Sequence, residues 1–417
     1  MTDRPDEHAR VAAEHAHWQR NARALAAGNM LINIGWNAAF AFLPLIVQAM
    51  GVEHNLALWV GAMMFGYYGT SCLFTPVWGV LADYYGRKSM VLRAGFGMAF
   101  GFAVLSTISN PLGFLCVLVL VGLANGFVPA GQALVATSTP GTYVGSALAL
   151  TQIGAATGTL LGPLAGAALI GLLPSAHALF AFTAALMFGA SLLAFARVRE
   201  EHVRPAHPLR IDLLADIGQL LRVPELKLLY YLQVLFSFTV FGAMPIVSLY
   251  TMQLLDEQPG FGGLSVESWV AATAMAFTLA GIGVLPLWGQ VLNRFSSRRV
   301  LGILLAGTCA ASVLLPLVRN PLELTVARML FALFVSGLPP TLIRMIKDRA
   351  PQGMEARTLS YGTALQQMGS AAAPLIAGLL APYLGLRGFF WLCSGLIVLG
   401  WVLWKRHGRG PASSSQA

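Results

Sequence analysis

Arg328 stands inside an apolar run, residues 322–346, in a chain whose 17 acids all avoid the middle of such runs. Ionisable groups in hydrocarbon are costly and mark functional sites. A guanidinium in a cavity offers donors that suit carboxylate, phosphonate or hydroxamate groups. Near the end of a run it can instead snorkel to the membrane surface. Both uses stay open, because Arg328 lies only about two turns into its run. Amides supply a second chemistry. Asn29, Asn33 and Asn37 are spaced by four and stack on one helix face. Such a row is expensive against lipid, so it faces a substrate cavity or neighbouring helices. Gln233 and Ser237 share a face near Phe238 and Phe241, while Asn125, Gln366 and Gln367 add further amides. Aromatic rings in a polar cavity suit amphipathic organic substrates. The four cysteines fall in apolar runs and the eight histidines in termini and loops, so no metal site or cofactor is expected.

The elements that position these residues follow from composition. Hydrophobic residues make up 57% of the chain and charged residues 10%, against roughly 25% charged in a soluble domain. The chain reads as an all-α integral membrane protein. Its apolar runs predict twelve spans, near 24–49, 56–82, 89–108, 111–135, 143–172, 175–196, 227–252, 266–292, 299–318, 322–346, 358–383 and 386–404. Each can cross about 30 Å of hydrocarbon. A net charge of +9 would suggest nucleic acid in a soluble protein; here its placement matters more, and nucleic acid is not an expected partner. With the N-terminus inside, Arg20, Arg23, Arg87, Lys88, Arg298, Arg299, Lys405 and Arg406 fall on the cytoplasmic side, whereas the opposite loops carry Arg319 and Arg387. The positive-inside rule then places both termini in the cytoplasm.

The chain also repeats itself. Pro76-Val77-Trp78-Gly79 returns 210 residues later as Pro286-Leu287-Trp288-Gly289, each at the end of an apolar run. Gly126-Phe127-Val128-Pro129 is echoed by Gly337-Leu338-Pro339-Pro340, and Ala149-Leu150-Thr151-Gln152 by Ala364-Leu365-Gln366-Gln367. A repeat near half the chain length, inside an apolar protein, is a signature of secondary transporters. The expected organisation is a cytoplasmic segment (1–23), a six-helix bundle (24–196), a linker (197–226), a second six-helix bundle (227–404) and a tail (405–417). In the linker, Leu213, Leu214, Ile217, Leu220 and Leu221 predict an amphipathic helix.

Gly79-x-Leu81-x-Asp83-x-x-Gly86-Arg87-Lys88 resembles the signature loop of the major facilitator superfamily. Gly158-x-x-x-Gly162-Pro163-x-x-Gly166 is similar to the glycine-proline motif of its drug:proton antiporters, the bacterial multidrug efflux branch. The resemblance covers essentially the whole chain and implies two pseudo-symmetric six-helix bundles. It implies a conformational latch at Gly79, Asp83, Gly86, Arg87 and Lys88, in which the Asp83 carboxylate engages the opposite bundle when the cytoplasmic side is closed. It also implies an interface role for Gly154, Gly158, Gly162, Pro163 and Gly166. Glycines every four residues let another helix approach closely, at a moving contact between bundles or in ordinary packing. One departure concerns span four, where Leu118 stands in place of the family's arginine and Gly122 follows; the mirrored Arg328 is followed by Ala332.

The expected protein is a monomeric inner-membrane exporter of a small organic molecule, drug-like or an endogenous metabolite such as a siderophore. It would work by alternating access, without a cofactor, on the proton gradient. An uptake permease of the same fold and a non-transporting sensor or scaffold are the alternatives. The lipid bilayer and the transported molecule are its partners, and no enzyme activity is implied.

Overall fold

The computed structural model describes residues 5–52, 54–140, 143–172, 177–200, 223–240, 243–350 and 355–407. Among them the chain is helical, with no strand. Hydrocarbon imposes this, because a helix pairs every backbone polar group within one segment. The helices are α1 (Pro5–Phe40), α2 (Leu43–Ala49), α3 (Leu56–Tyr85), α4 (Arg87–Leu105), α5 (Pro111–Ala124), α6 (Phe127–Ser138), α7 (Val144–Leu172) and α8 (Ala178–Arg197). They continue as α9 (Pro224–Val240), α10 (Met244–Glu257), α11 (Val266–Arg294), α12 (Ser297–Ser312), α13 (Pro321–Val335), α14 (Leu338–Asp348) and α15 (Glu355–His407). Ten stretches are long and apolar enough to cross a membrane, and the bent pair α1–α2 makes an eleventh. One of the ten, Tyr361–Arg406, has 46 residues, about 69 Å of helix and twice the hydrocarbon thickness. Gly385 interrupts it with φ 65°, a backbone region that favours glycine. That stretch has the length of two crossings joined at Gly385. The expected linker helix at residues 213–221 lies outside the described residues.

The chain divides into two compact units, Met1–Glu53 with Gly66–Ile211, and His54–Phe65 with Asp212–Ala417. In the first unit α7 lies against α1 along its glycines. A methyl group on Gly154 or Gly158 would press on the Ala26 or Met30 carbonyl oxygen. On Gly162 it would come within 2.5 Å of Asn37 Cβ, and on Gly166 within 2.6 Å of the Phe42 ring. These nearest neighbours all lie in residues 26–42, so the stripe serves a crossing inside one unit. That differs from the moving contact between bundles among the sequence expectations. Helix α7 runs on through Pro163. The second unit uses the same device, for a methyl on Gly378 would sit 2.5 Å from the Ala57 carbonyl oxygen.

The repeat is visible atom by atom. Asn110 caps α5 by accepting the Gly113 N–H (2.6 Å), and Asn320 caps α13 by accepting the Glu323 N–H (2.8 Å), each followed by proline at the first helical position. Both devices satisfy a helix N-terminus before the chain enters hydrocarbon. The Trp78 indole N–H donates to the Leu123 carbonyl at 2.9 Å, and Trp288 donates to Leu333 at 2.7 Å, each 45 residues along. Those carbonyls sit just before the breaks between α5 and α6 and between α13 and α14, where intrahelical donors run out. The repeated tryptophans therefore hold the two breaks.

Trp78→Phe and Trp288→Phe keep a ring but leave one part-buried carbonyl unpaired, and each should cost about 0.6–2 kcal/mol. Thermal unfolding of purified protein measures this. The double variant should show the sum of the two losses, because the sites lie in separate units. An unchanged midpoint in both single variants would show that the indole bonds do not hold the breaks.

Candidate substrate-binding site

Three crossings are broken among the described residues. Helix α1 gives way to α2 at a bend of 49°. Helices α5 and α6 part at Asn125–Gly126, and α13 and α14 part at Ser336–Gly337; between α9 and α10, residues 241–242 lie outside the described residues. Broken membrane helices are tolerated where they line a cavity or are buried in protein, and transporters build substrate sites from them. Asn33, Asn37, Asn125 and Arg328 belong to these three crossings, Gln233, Ser237 and Phe238 to α9, and Gln366 and Gln367 to α15. Phe241 lies outside the described residues.

In the first unit the amide row is inward but largely occupied. Asn29 donates to the Thr151 carbonyl (3.4 Å), Asn33 to the Asn29 carbonyl (2.8 Å) and Asn37 to the Asn33 carbonyl (2.9 Å). The Asn29 Oδ1 is buried without a partner. At the α5–α6 break, Gly126 adopts φ 143° and donates to Asn125 Oδ1 (2.8 Å), while Asn125 Nδ2 donates to Ser71 Oγ (2.9 Å). Arg93 lies 3.6 Å from the centre of the Trp78 ring and donates to the Asn125 carbonyl at 3.5 Å. It completes the break, and the sequence reading does not single it out. A charge six positions into an apolar helix was the available signal.

The second unit brings its polar residues into contact. Gln233 Nε2 donates to Gln366 Oε1 at 3.1 Å, and the Ser237 hydroxyl donates to the Gln366 carbonyl. Gln233 Oε1 is buried and unpartnered. Phe238 packs toward Phe389, with ring centres 6.1 Å apart, and is a core residue. Arg328 is 8% exposed and lies over Phe277, 4.5 Å from the ring centre.

The signature loop is tied down inside the first unit. Helix α3 ends at Tyr85, Gly86 turns with φ 93°, and α4 starts at Arg87. Asp83 occupies the last turn of α3; its side chain lies outside the described residues. Gly79 faces open space. The Glu200 carboxylate accepts the Arg87 N–H (2.9 Å) and the Lys88 N–H (2.7 Å). It thus caps α4 with an anion at its positive end, where a charge is worth about 0.3–1 kcal/mol. The Lys88 ammonium donates to the Phe195 carbonyl at 3.2 Å. Asn21 exchanges two hydrogen bonds with the Arg199 backbone, at 2.8 and 3.0 Å. The loop, the end of α8 with Arg199 and Glu200, and α1 at Asn21 form one locked corner.

Among the described residues, apolar helical crossings built by internal repeat, with breaks at α1–α2, α5–α6 and α13–α14, are the architecture of a membrane transporter. The family model of the Major Facilitator Superfamily matches residues 25–281 and 260–417, and the chain belongs to that superfamily. It is 28% identical over 391 residues to the multidrug resistance protein MdtG of Salmonella arizonae, covering 92% of this chain and 94% of the relative. Its fold is similar to the crystal structure of the nucleoside transporter NupG, with TM-score 0.73, 11% identity and coverage of 94% and 100%. A bacterial homologue of the human lysosomal transporter Spinster aligns with TM-score 0.76, 13% identity and coverage of 94% and 98%. These proteins are transporters and not enzymes, and the chain is a multi-pass membrane transporter.

Replacing Glu200 tests the corner. Glu200→Ala should destabilise the protein by about 1–2 kcal/mol, and Glu200→Gln, which retains an acceptor, by less. Thermal midpoints of the purified variants report the difference. Equal midpoints for wild type and Glu200→Ala would mean that the cap contributes nothing to stability.

Proposed function

We propose that the chain exports small organic molecules across the inner membrane by alternating access, driven by proton entry, with both termini in the cytoplasm. The observation that carries this reading is the 28% identity to a multidrug resistance protein over 92% of the chain. The run Gly158-x-x-x-Gly162-Pro163-x-x-Gly166, similar to the antiporter motif, supports export over uptake. Drug-like compounds and endogenous metabolites both fit this reading, and the monomer is the working unit.

No acid stands in the interior of a described membrane helix. Asp83, Asp256, Glu257 and Asp348 close their helices, Glu225, Glu267, Glu323 and Glu355 open theirs, and the acids of α1 precede its apolar part, which starts at His17. Proton carriage therefore falls to Asp83 or to the substrate itself. In the latch role, Asp83 adds a differential energy between two conformations without touching the substrate.

Expression in an efflux-deficient host should lower accumulation of a panel of anionic, neutral and cationic dyes, and a protonophore should abolish the effect. Asp83→Asn should return accumulation to the level of the empty vector, while the purified variant binds dye within about threefold of wild type. Accumulation above that of the empty vector would identify an uptake permease. Normal efflux by Asp83→Asn would remove the latch from the mechanism.

A further inference from the structure

The second unit contains a cation with no counter-ion among its described neighbours. Arg328 lies on α13, 8% exposed, and its Nε is buried without a hydrogen-bond partner. Its contact with the Phe277 ring, 4.5 Å from Cζ to the ring centre, uses no N–H donor. Thr273 on α11 and Thr325 on α13 bond to each other at 2.9 Å, and among the described residues neither hydroxyl is hydrogen-bonded to the guanidinium. Glu323 is five positions away, about 140° around the helix. Its carboxylate already accepts the Arg319 N–H (2.8 Å) and the Asn320 amide (2.7 Å).

Magnitudes decide what this means. A desolvated cation over an aromatic ring recovers about 0.5–2 kcal/mol, whereas burying an ion costs several kcal/mol. Lysine could shed its proton in such a place, but arginine cannot. The deficit has to be met by an acceptor from outside the chain.

Packing does not demand the charge either. The tryptophan bonds and asparagine caps establish a 210-residue correspondence between the halves. By that correspondence Thr273, Phe277, Thr325 and Arg328 answer to Met63, Tyr67, Leu115 and Leu118. Leu118 is fully buried in the first unit. The same place in the same architecture accepts leucine, and in the second half alone it is polar and charged.

We infer that Arg328 anchors an anionic group of the transported molecule, a carboxylate or phosphonate carried on an apolar or aromatic body. This deepens the exporter reading above and rests on it for the word transported; the anion site itself stands on Arg328. A guanidinium with free in-plane donors binds such groups in bidentate fashion. A lipid phosphate offers the same chemistry, and the experiment separates the two sources.

The probes are 1-naphthoate and its neutral analogue 1-naphthamide, titrated against the full chain in phosphatidylcholine nanodiscs. Wild type should bind the carboxylate roughly tenfold tighter than the amide, the effect of one charge-assisted hydrogen bond. Arg328→Gln should lose that preference while its amide affinity stays within about twofold. Arg328→Leu, which copies the residue already accepted in the first unit, supplies a folded variant if the glutamine does not fold, with the same loss expected. Absence of a carboxylate preference in wild type, or its persistence in either folded variant, overturns the assignment. In nanodiscs containing phosphatidylglycerol, wild-type naphthoate binding should persist. If the anionic lipid abolishes it and raises the thermal midpoint of wild type but not of Arg328→Leu, the acceptor is a lipid phosphate and the substrate anchor is overturned. Export of the amide without any carboxylate preference would leave the exporter reading intact and remove only the Arg328 anchor.

Discussion

In hydrocarbon a polar group has no partner unless the protein supplies one, and this constraint organises the molecule. It makes the chain helical and explains why helix entries carry Asn110-Pro111 and Asn320-Pro321. It also explains why the breaks in the fourth and tenth crossings come with an indole N–H aimed at a freed carbonyl. Charges obey it by retreating to helix ends. There Arg387 pairs with Glu257 at 3.1 Å, and Arg349 pairs with Glu225. Arg93 meets it in part, with a tryptophan face and a carbonyl at 3.5 Å, while its Nε is buried without a partner. Arg328, over Phe277 and with an unpartnered Nε, does not.

Much of this was legible in the sequence, for reasons that also mark the limit. The crossings announce themselves by length and apolarity, and the repeat by a tryptophan motif recurring after 210 residues. Spacing by four put the asparagines and the glycines on helix faces. Spacing does not say which neighbour a face meets, so the glycine stripe pointed to close approach without naming α1. The asparagine row, similarly, gave a polar face without revealing that its donors run back to helix carbonyls. Glu200 and Arg93 escaped because their partners are distant in sequence, at Arg87, Lys88 and Asn125. Glu200 in particular looked like one member of a charged linker. Its role appears only when α4 presents two free N–H groups beside it.

The two halves have diverged in different chemistry. The first keeps the acidic and glycine-bearing loop, Asp83 to Lys88, where the second reads Asn293 to Arg298. The second keeps the embedded arginine, where the first has Leu118. Under the proposed function, a duplicated scaffold carries a conformational signature in one copy and a recognition charge in the other. Such a division suits a transporter, in which the switching device and the substrate site answer to different constraints.

The central claim is that the unpaired guanidinium is completed by substrate, and locating a bound substrate tests it most directly. Crystals grown with a brominated naphthoate would reveal the halogen by anomalous scattering. The account predicts the bromine in the second unit against Phe277, with the carboxylate on Arg328. A ligand found elsewhere, with ordered water or a lipid phosphate on Arg328, would contradict it.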